Sequence, residues 1–162
     1  MQIGEHMDLK EAIRSSYLAQ GLTDPQLESL YELAEWRSFG EGDEILRQFD
    51  ESRDLMILAS GVAHIMTVVG EPIGLIKPGM PMGEISFLDS KPRSGTVRAQ
   101  EQCDVVVFAA EPLMELLVSS PDMAARCLWN ISRVLCARLR TANQNLAALM
   151  ALDESEFTSS KY

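Results

Sequence analysis

Between Trp36 and Ala109 the chain is divided into β-prone runs too short to be stable alone. The candidates are Trp36–Phe39, Glu44–Arg47, Leu55–Ser60, Val62–Val69, Ile73–Ile76, Thr96–Ala99 and Val105–Ala109. Turn formers separate them: residues 40–43, residues 50–54, Gly61, residues 70–72 and residues 77–79. Strands this short and evenly spaced satisfy their edges by curling into a small barrel or jelly roll. Helical spacing flanks this region. Leu9, Ala12, Ile13, Tyr17 and Leu18 predict a helix over Asp8–Gln20, ended by Gly21. Thr23-Asp24-Pro25-Gln26 then reads as an N-cap and capping box for a second helix, with Leu27, Leu30, Leu33 and Ala34 on one face.

After the strands, a short helix over Glu111–Ser119 is followed by a long one opened by Pro121. Its apolar positions Leu128, Ile131, Leu135, Leu139, Ala142, Leu146 and Leu149 step by three and four. The first half of that stripe is expected to pack on the barrel. The second half extends past it and suits a partner helix. The chain is therefore expected to be one domain over residues 1–150: N-terminal helices at 8–34, a barrel at 36–109, and C-terminal helices at 111–150. A polar tail is expected at 151–162.

The chemistry concentrates in residues 82–96, Met82-Gly83-Glu84-Ile85-Ser86-Phe87-Leu88-Asp89-Ser90-Lys91-Pro92-Arg93-Ser94-Gly95-Thr96. Gly83 lets backbone approach a ligand, and the residues after it read as one short helical turn whose amides carry partial positive charge. Pro92 stiffens the return. Arg93 adds a guanidinium, and a guanidinium beside peptide N–H groups is a recurring phosphate-binding arrangement. Glu84 repels phosphate and is suited to accepting hydrogen bonds from sugar hydroxyls. One group for phosphate and one for ribose on a single loop implies a small nucleotide with its phosphate folded back beside its sugar.

This segment resembles the phosphate-binding cassette of cyclic nucleotide-binding domains, found in catabolite activator protein and protein kinase A regulatory subunits. The family pattern, Gly-Glu-(Leu/Ile/Met)-x-(Leu/Phe)-(Leu/Phe), a short insert, then Pro-Arg-(Ala/Ser/Thr)-(Ala/Ser)-Thr, is met by Gly83–Leu88 and Pro92–Thr96. Gly95 departs from it, replacing a small methyl-bearing residue. The turns at residues 39–43 and 59–62 are also similar, and the resemblance covers roughly residues 22–140. It implies a mainly β fold with flanking helices: a cyclic nucleotide-binding jelly-roll β-barrel, or double-stranded β-helix, with a long C-terminal helix. It also implies that Glu84 takes the ribose 2′-hydroxyl, Arg93 the exocyclic phosphate oxygens, and Ser94 the phosphate. Gly83, Ile85, Ser86 and Thr96 complete the cassette. Ile65, Ile73, Leu75 and Met82 are candidates to line the base, with core packing as their default role. Arg133, Arg138 and Thr141 lie where the family's C-terminal helix closes over the purine, and solvated helical positions are the alternative.

Composition sets bounds on partners. A net charge of −10 and a pI near 4.6 remove the driving force for autonomous nucleic-acid binding, although a local basic patch is compatible with it. Apolar runs fall short of the roughly 20 residues that span a bilayer, and the chain opens without a signal-peptide pattern, so no membrane role is expected. Cys103, Cys127 and Cys136 are unclustered, which indicates neither a zinc site nor a disulfide framework and fits a cytoplasmic location. Asn130-Ile131-Ser132 matches a glycosylation pattern but falls inside a predicted helix. Walker, GxGxxG and His-Glu-x-x-His patterns are missing, so no enzyme activity is expected.

The expected function is a regulatory module that binds cAMP, with cGMP as the alternative, and signals through its C-terminal helix to a partner protein. Ser94 underlies the preference for cAMP, because a threonine there often accompanies cGMP binding in the family. A homodimer through the long helix is also expected, as in the family's bacterial transcription factors. Those carry a helix-turn-helix domain after this helix, whereas here a polar tail follows, so direct DNA binding is not expected. Two alternatives stand: the same fold taking haem (His64) or another anion, and a dimeric adaptor that uses its helix rather than a pocket.

Overall fold

The computed structural model describes residues 8–159, with side chains through residue 151. Helix α1 spans Leu9–Ser15, capped by Asp8, whose carboxylate accepts from Glu11 N–H at 2.8 Å. It is shorter than the expected Asp8–Gln20. Ser16 is buried and extended, and Tyr17 N–H donates to Gly79 O at 2.9 Å, so docking onto the barrel ends the helix before its apolar pattern does. Helix α2, Asp24–Leu33, starts at Thr23 as expected, with Gln26 Oε1 accepting from Thr23 N–H at 3.0 Å.

Among the described residues eight strands follow: β1 Ala34–Phe39, β2 Glu44–Leu46, β3 Leu55–Ser60, β4 Ala63–Met66, β5 Pro72–Ile76, β6 Pro81–Met82, β7 Thr96–Ala99 and β8 Cys103–Phe108. They form two antiparallel four-stranded sheets in the orders β1-β8-β3-β6 and β2-β7-β4-β5. Strand β3 is apolar at nearly every position because both of its faces are covered. Met56 and Leu58 join Ile45, Ala63, Ile76 and Val105 in the core cluster, while α1 packs against the strand from outside. Each of these side chains larger than alanine contributes about 1.5–3 kcal/mol on burial.

Two expectations about strands are corrected. The run Val62–Val69 pairs only as Ala63–Met66, because Thr67 to Glu71 form a turn held by Thr67 N–H to Glu71 O at 2.8 Å, leaving Val68 and Val69 exposed. Strand β6 has no counterpart among the expected strands, because two residues carry no periodicity. It exists through its pairing with Met56 and Ile57 of β3.

A six-residue helix α3, Glu84–Asp89, lies between β6 and β7. Helix α4, Ala110–Ser119, follows β8, and helix α5 runs Pro121–Ser159, so residues 151–159 of the expected tail are helical. The chain divides into two compact units, one ending at Ile131 and the other starting at Ser132. In the second unit Leu139, Leu146, Leu149 and Met150 are exposed. No helix among the described residues is long and apolar enough to cross a membrane.

Candidate functional site

Gly83 is where the barrel hands over to α3. It is left-handed, at φ 77° and ψ 5°, a conformation that costs other residues roughly 1–2 kcal/mol. A Cβ there would meet Asp54 O at 2.7 Å and would also run into Arg93 Nη1. The glycine is therefore required twice, by its torsion and by what lies against it. The α3 hydrogen-bond ladder begins with Phe87 N–H to Gly83 O at 3.2 Å, so the amides before it form the helix's positive end. Ser90, also left-handed, closes the turn, and Lys91 N–H donates to Asp89 Oδ1 at 3.1 Å.

Arg93 is only 2 % exposed. Its Nε donates to Ser52 Oγ at 3.2 Å, Nη1 to Gly83 O at 3.0 Å and Nη2 to Asp54 O at 2.8 Å. All three acceptors are neutral oxygens, and of the five N–H donors of a guanidinium these bonds use one on each nitrogen. Burial lowers the pKa of Arg93, opposed by the fields of Asp54, Glu84 and Asp50. Glu84 is also 2 % exposed. Both side chains are covered.

The remaining cassette residues divide by role. Thr96 Oγ1 accepts from Gln48 N–H at 3.1 Å and Ser94 O from Gln48 Nε2 at 3.1 Å, so both fasten the cassette's return to the chain beyond β2. Arg93 N–H to Asp50 O at 2.8 Å and Phe49 N–H to Arg93 O at 3.0 Å extend that seam. Ser94 and Ile85 are exposed, and Ser86 is buried.

Of the base-lining candidates, Ile65 adjoins the cassette: a Cβ on Gly95 would lie 3.8 Å from its Cγ2. Met82 is placed in the buried core cluster, which is its default role. Ile73 and Leu75 are exposed on β5, whose Ile76 faces the core instead. Arg133 and Arg138 belong to the second unit, where Arg133 is exposed and Arg138 half-buried; Thr141 Oγ1 there donates to Ala137 O at 3.2 Å. His64, half-buried, pairs across β4 with Leu75 and Arg98, and no group of three or more metal-ligating side chains occurs among the described residues. Asn130 is buried and donates to Leu18 O and Gln20 O, which removes its amide from any role as a glycosylation acceptor.

Sequence reasoning missed Gln48, Ser52 and Asp54, which hold Arg93 and its neighbours. The stretch at residues 50–54 reads only as a turn, and no linear spacing links Ser52 to an arginine 41 positions on. A cavity of about 380 Å³ lies beside them, lined by Arg37, Phe39, Arg47, Ser52, Asp54 and Met56 among others, and by none of the cassette residues.

A sequence profile of the cyclic nucleotide-binding domain matches residues 36–120. The cyclic AMP receptor protein of Thermus thermophilus is 28 % identical over 141 residues, which cover 85 % of this chain and 63 % of that protein. The cAMP-dependent protein kinase regulatory subunit of Emericella nidulans is 34 % identical over 80 residues, 49 % of this chain and 19 % of that one. The chain thus spans less than two thirds of either curated relative. Among solved structures, a cyclic nucleotide-binding domain from Methylobacillus flagellatus superposes with a TM-score of 0.74 at 21 % identity, covering 85 % of this chain and 80 % of that one, which shows a shared fold. The profile spans just over half of the 162 residues and includes both sheets, apart from the first two residues of β1, and the whole of the Gly83–Thr96 segment, and on that match the chain belongs to the cyclic nucleotide-binding domain family.

Proposed function

We propose that this domain is a non-catalytic sensor that binds cAMP through Arg93 and Glu84 and passes its occupancy to a partner protein through α5. The observation that carries the reading is the buried Arg93 cation, held by neutral oxygens directly beneath the left-handed Gly83. A desolvated guanidinium favours an anion strongly, since charge-assisted bidentate contacts are about twice as strong as neutral ones. Glu84, the first residue of α3, is the proposed acceptor for a hydroxyl of the same ligand. The cAMP named for the receptor protein supports this choice over cGMP, as does serine at position 94.

Calorimetry with cAMP, cGMP and AMP tests the reading. Saturable binding of cAMP is expected, with AMP at least about tenfold weaker, and Arg93→Ala is expected to weaken cAMP by about two orders of magnitude. Unchanged cAMP affinity in that variant would remove the mechanism.

The exposed Leu139, Leu146 and Leu149, with Leu135 and Ala142 between and before them, keep alternating steps of four and three. That is the seam of a two-stranded coiled coil, and the proposed occupant is the same helix of a second copy. Sedimentation is expected to give a dimer that Leu139→Asp with Leu146→Asp converts to a monomer. A wild-type monomer at high concentration would refute it.

A further inference from the structure

Asp54 contacts two parts of the domain at once. Its backbone carbonyl accepts from Arg93 Nη2 at 2.8 Å, and its carboxylate Oδ1 accepts from Ala110 N–H, the first residue of α4, at 3.1 Å. Helix α4 has no cap of its own. Ala109 at the N-cap position has no side-chain acceptor, Pro112 lacks an N–H, and Leu113 N–H is already bonded to Ala109 O at 3.2 Å. Ala110 and Glu111 are left as the amides at the helix start, and Asp54 takes the first from 56 positions away. A carboxylate there also complements the helix dipole.

The two ends of Asp54 do not move independently. Leu55 is fully buried and begins β3, in register with Phe108 of β8, which directly precedes Ala109. On its other side the Asp54 carbonyl is crowded by Gly83, whose Cβ would stand 2.7 Å away. A change in the Arg93–Asp54 bond must therefore reorient a peptide that has β3 on one side and the cassette on the other.

We infer that Asp54 is a positioning residue that couples the anion-binding arginine to the cap of α4, so that filling the cassette alters the start of that helix. The identity of the anion rests on the cAMP reading above; the linkage itself does not. An anion that takes the second N–H of Nη2 pulls the guanidinium toward itself and so alters the bond that the first N–H makes to the Asp54 carbonyl. By linkage, the factor by which anion binding changes the Ala110 contact is the factor by which that contact changes anion affinity.

Amide exchange and the ¹⁵N shift of Ala110 and Glu111, read by NMR on the full chain, test the linkage. In the wild type, saturating cAMP is expected to change Ala110 exchange by about fivefold or more, the low end of usual coupling. Asp54→Asn keeps an oxygen acceptor and is expected to retain the response. Asp54→Ala is expected to lose it, with cAMP affinity changed by no more than the factor by which nucleotide alters Ala110 exchange in the wild type. Arg93→Lys, measured without nucleotide, is expected to shift Ala110 although position 93 does not touch α4. A full nucleotide response at Ala110 in Asp54→Ala, or a wild-type Ala110 signal in Arg93→Lys, overturns the inference. Should the wild type bind no cAMP, the functional reading fails, and the nucleotide-free comparison of Arg93→Lys with wild type still decides the coupling. If Asp54→Ala does not fold, Asp54→Asn and Arg93→Lys decide it between them.

Discussion

Two glycines twelve positions apart in the same cassette should respond oppositely to alanine. At Gly83 the left-handed torsion alone costs alanine about 1–2 kcal/mol. The new methyl would also stand 2.7 Å from Asp54 O and against Arg93 Nη1, so the guanidinium must move. Moving it sacrifices at least one of the bonds to Gly83 O and Asp54 O, and a buried hydrogen bond from a charged donor contributes about 1.5–3 kcal/mol. The sum is roughly 2.5–5 kcal/mol of stability for Gly83→Ala, with cAMP binding lost by more than about tenfold. Gly95 is not left-handed, and its Cβ would meet only Ile65 Cγ2, at an ordinary 3.8 Å. Gly95→Ala should therefore stabilise by about 0.4–1 kcal/mol, through the unfolded chain, and leave affinity unchanged. Urea unfolding of both variants beside calorimetry makes the comparison. A Gly83→Ala protein within about 0.5 kcal/mol of wild type would refute the account of why a glycine stands there.

Phe49 holds φ at 72° while its side chain is 74 % exposed, so Phe49→Gly relieves backbone strain and sacrifices little burial. It should raise stability by about 0.5–1 kcal/mol in a thermal melt, and a lowered melting temperature would contradict this. Burial pushes the Cys127 thiol from its ordinary 9.0 up to about 11. The folded thiol thus stays protonated where the unfolded one ionises: its contribution is complete below pH 9 and declines as pH rises toward 11, by roughly 2–3 kcal/mol at the limit. Cys127→Ala should show a shallower alkaline fall in urea midpoint than wild type, and equal slopes would exclude the assignment. With a thiol reagent at neutral pH, exposed Cys136 should react first, and buried Cys103 and Cys127 only on unfolding.

The local features were legible in the chain itself. The residues after Gly83 read as one short helical turn, which is α3, and Thr23 with Gln26 marked the start of α2 to the residue. The short runs between turn formers anticipated all the strands except the two-residue β6, which exists only because β3 offers it a partner. Torsional preference and side-chain alternation act between neighbours, so spacing is enough to reveal them. What holds Arg93 was not legible. Ser52, Asp54 and Gln48 reach the cassette because β2 and β7 pair and bring residues 47–54 alongside residues 93–96, and that proximity is a property of sheet topology. Whether a guanidinium stands open or lies covered depends on which carbonyls surround it in space, and the order of residues along the chain does not specify that.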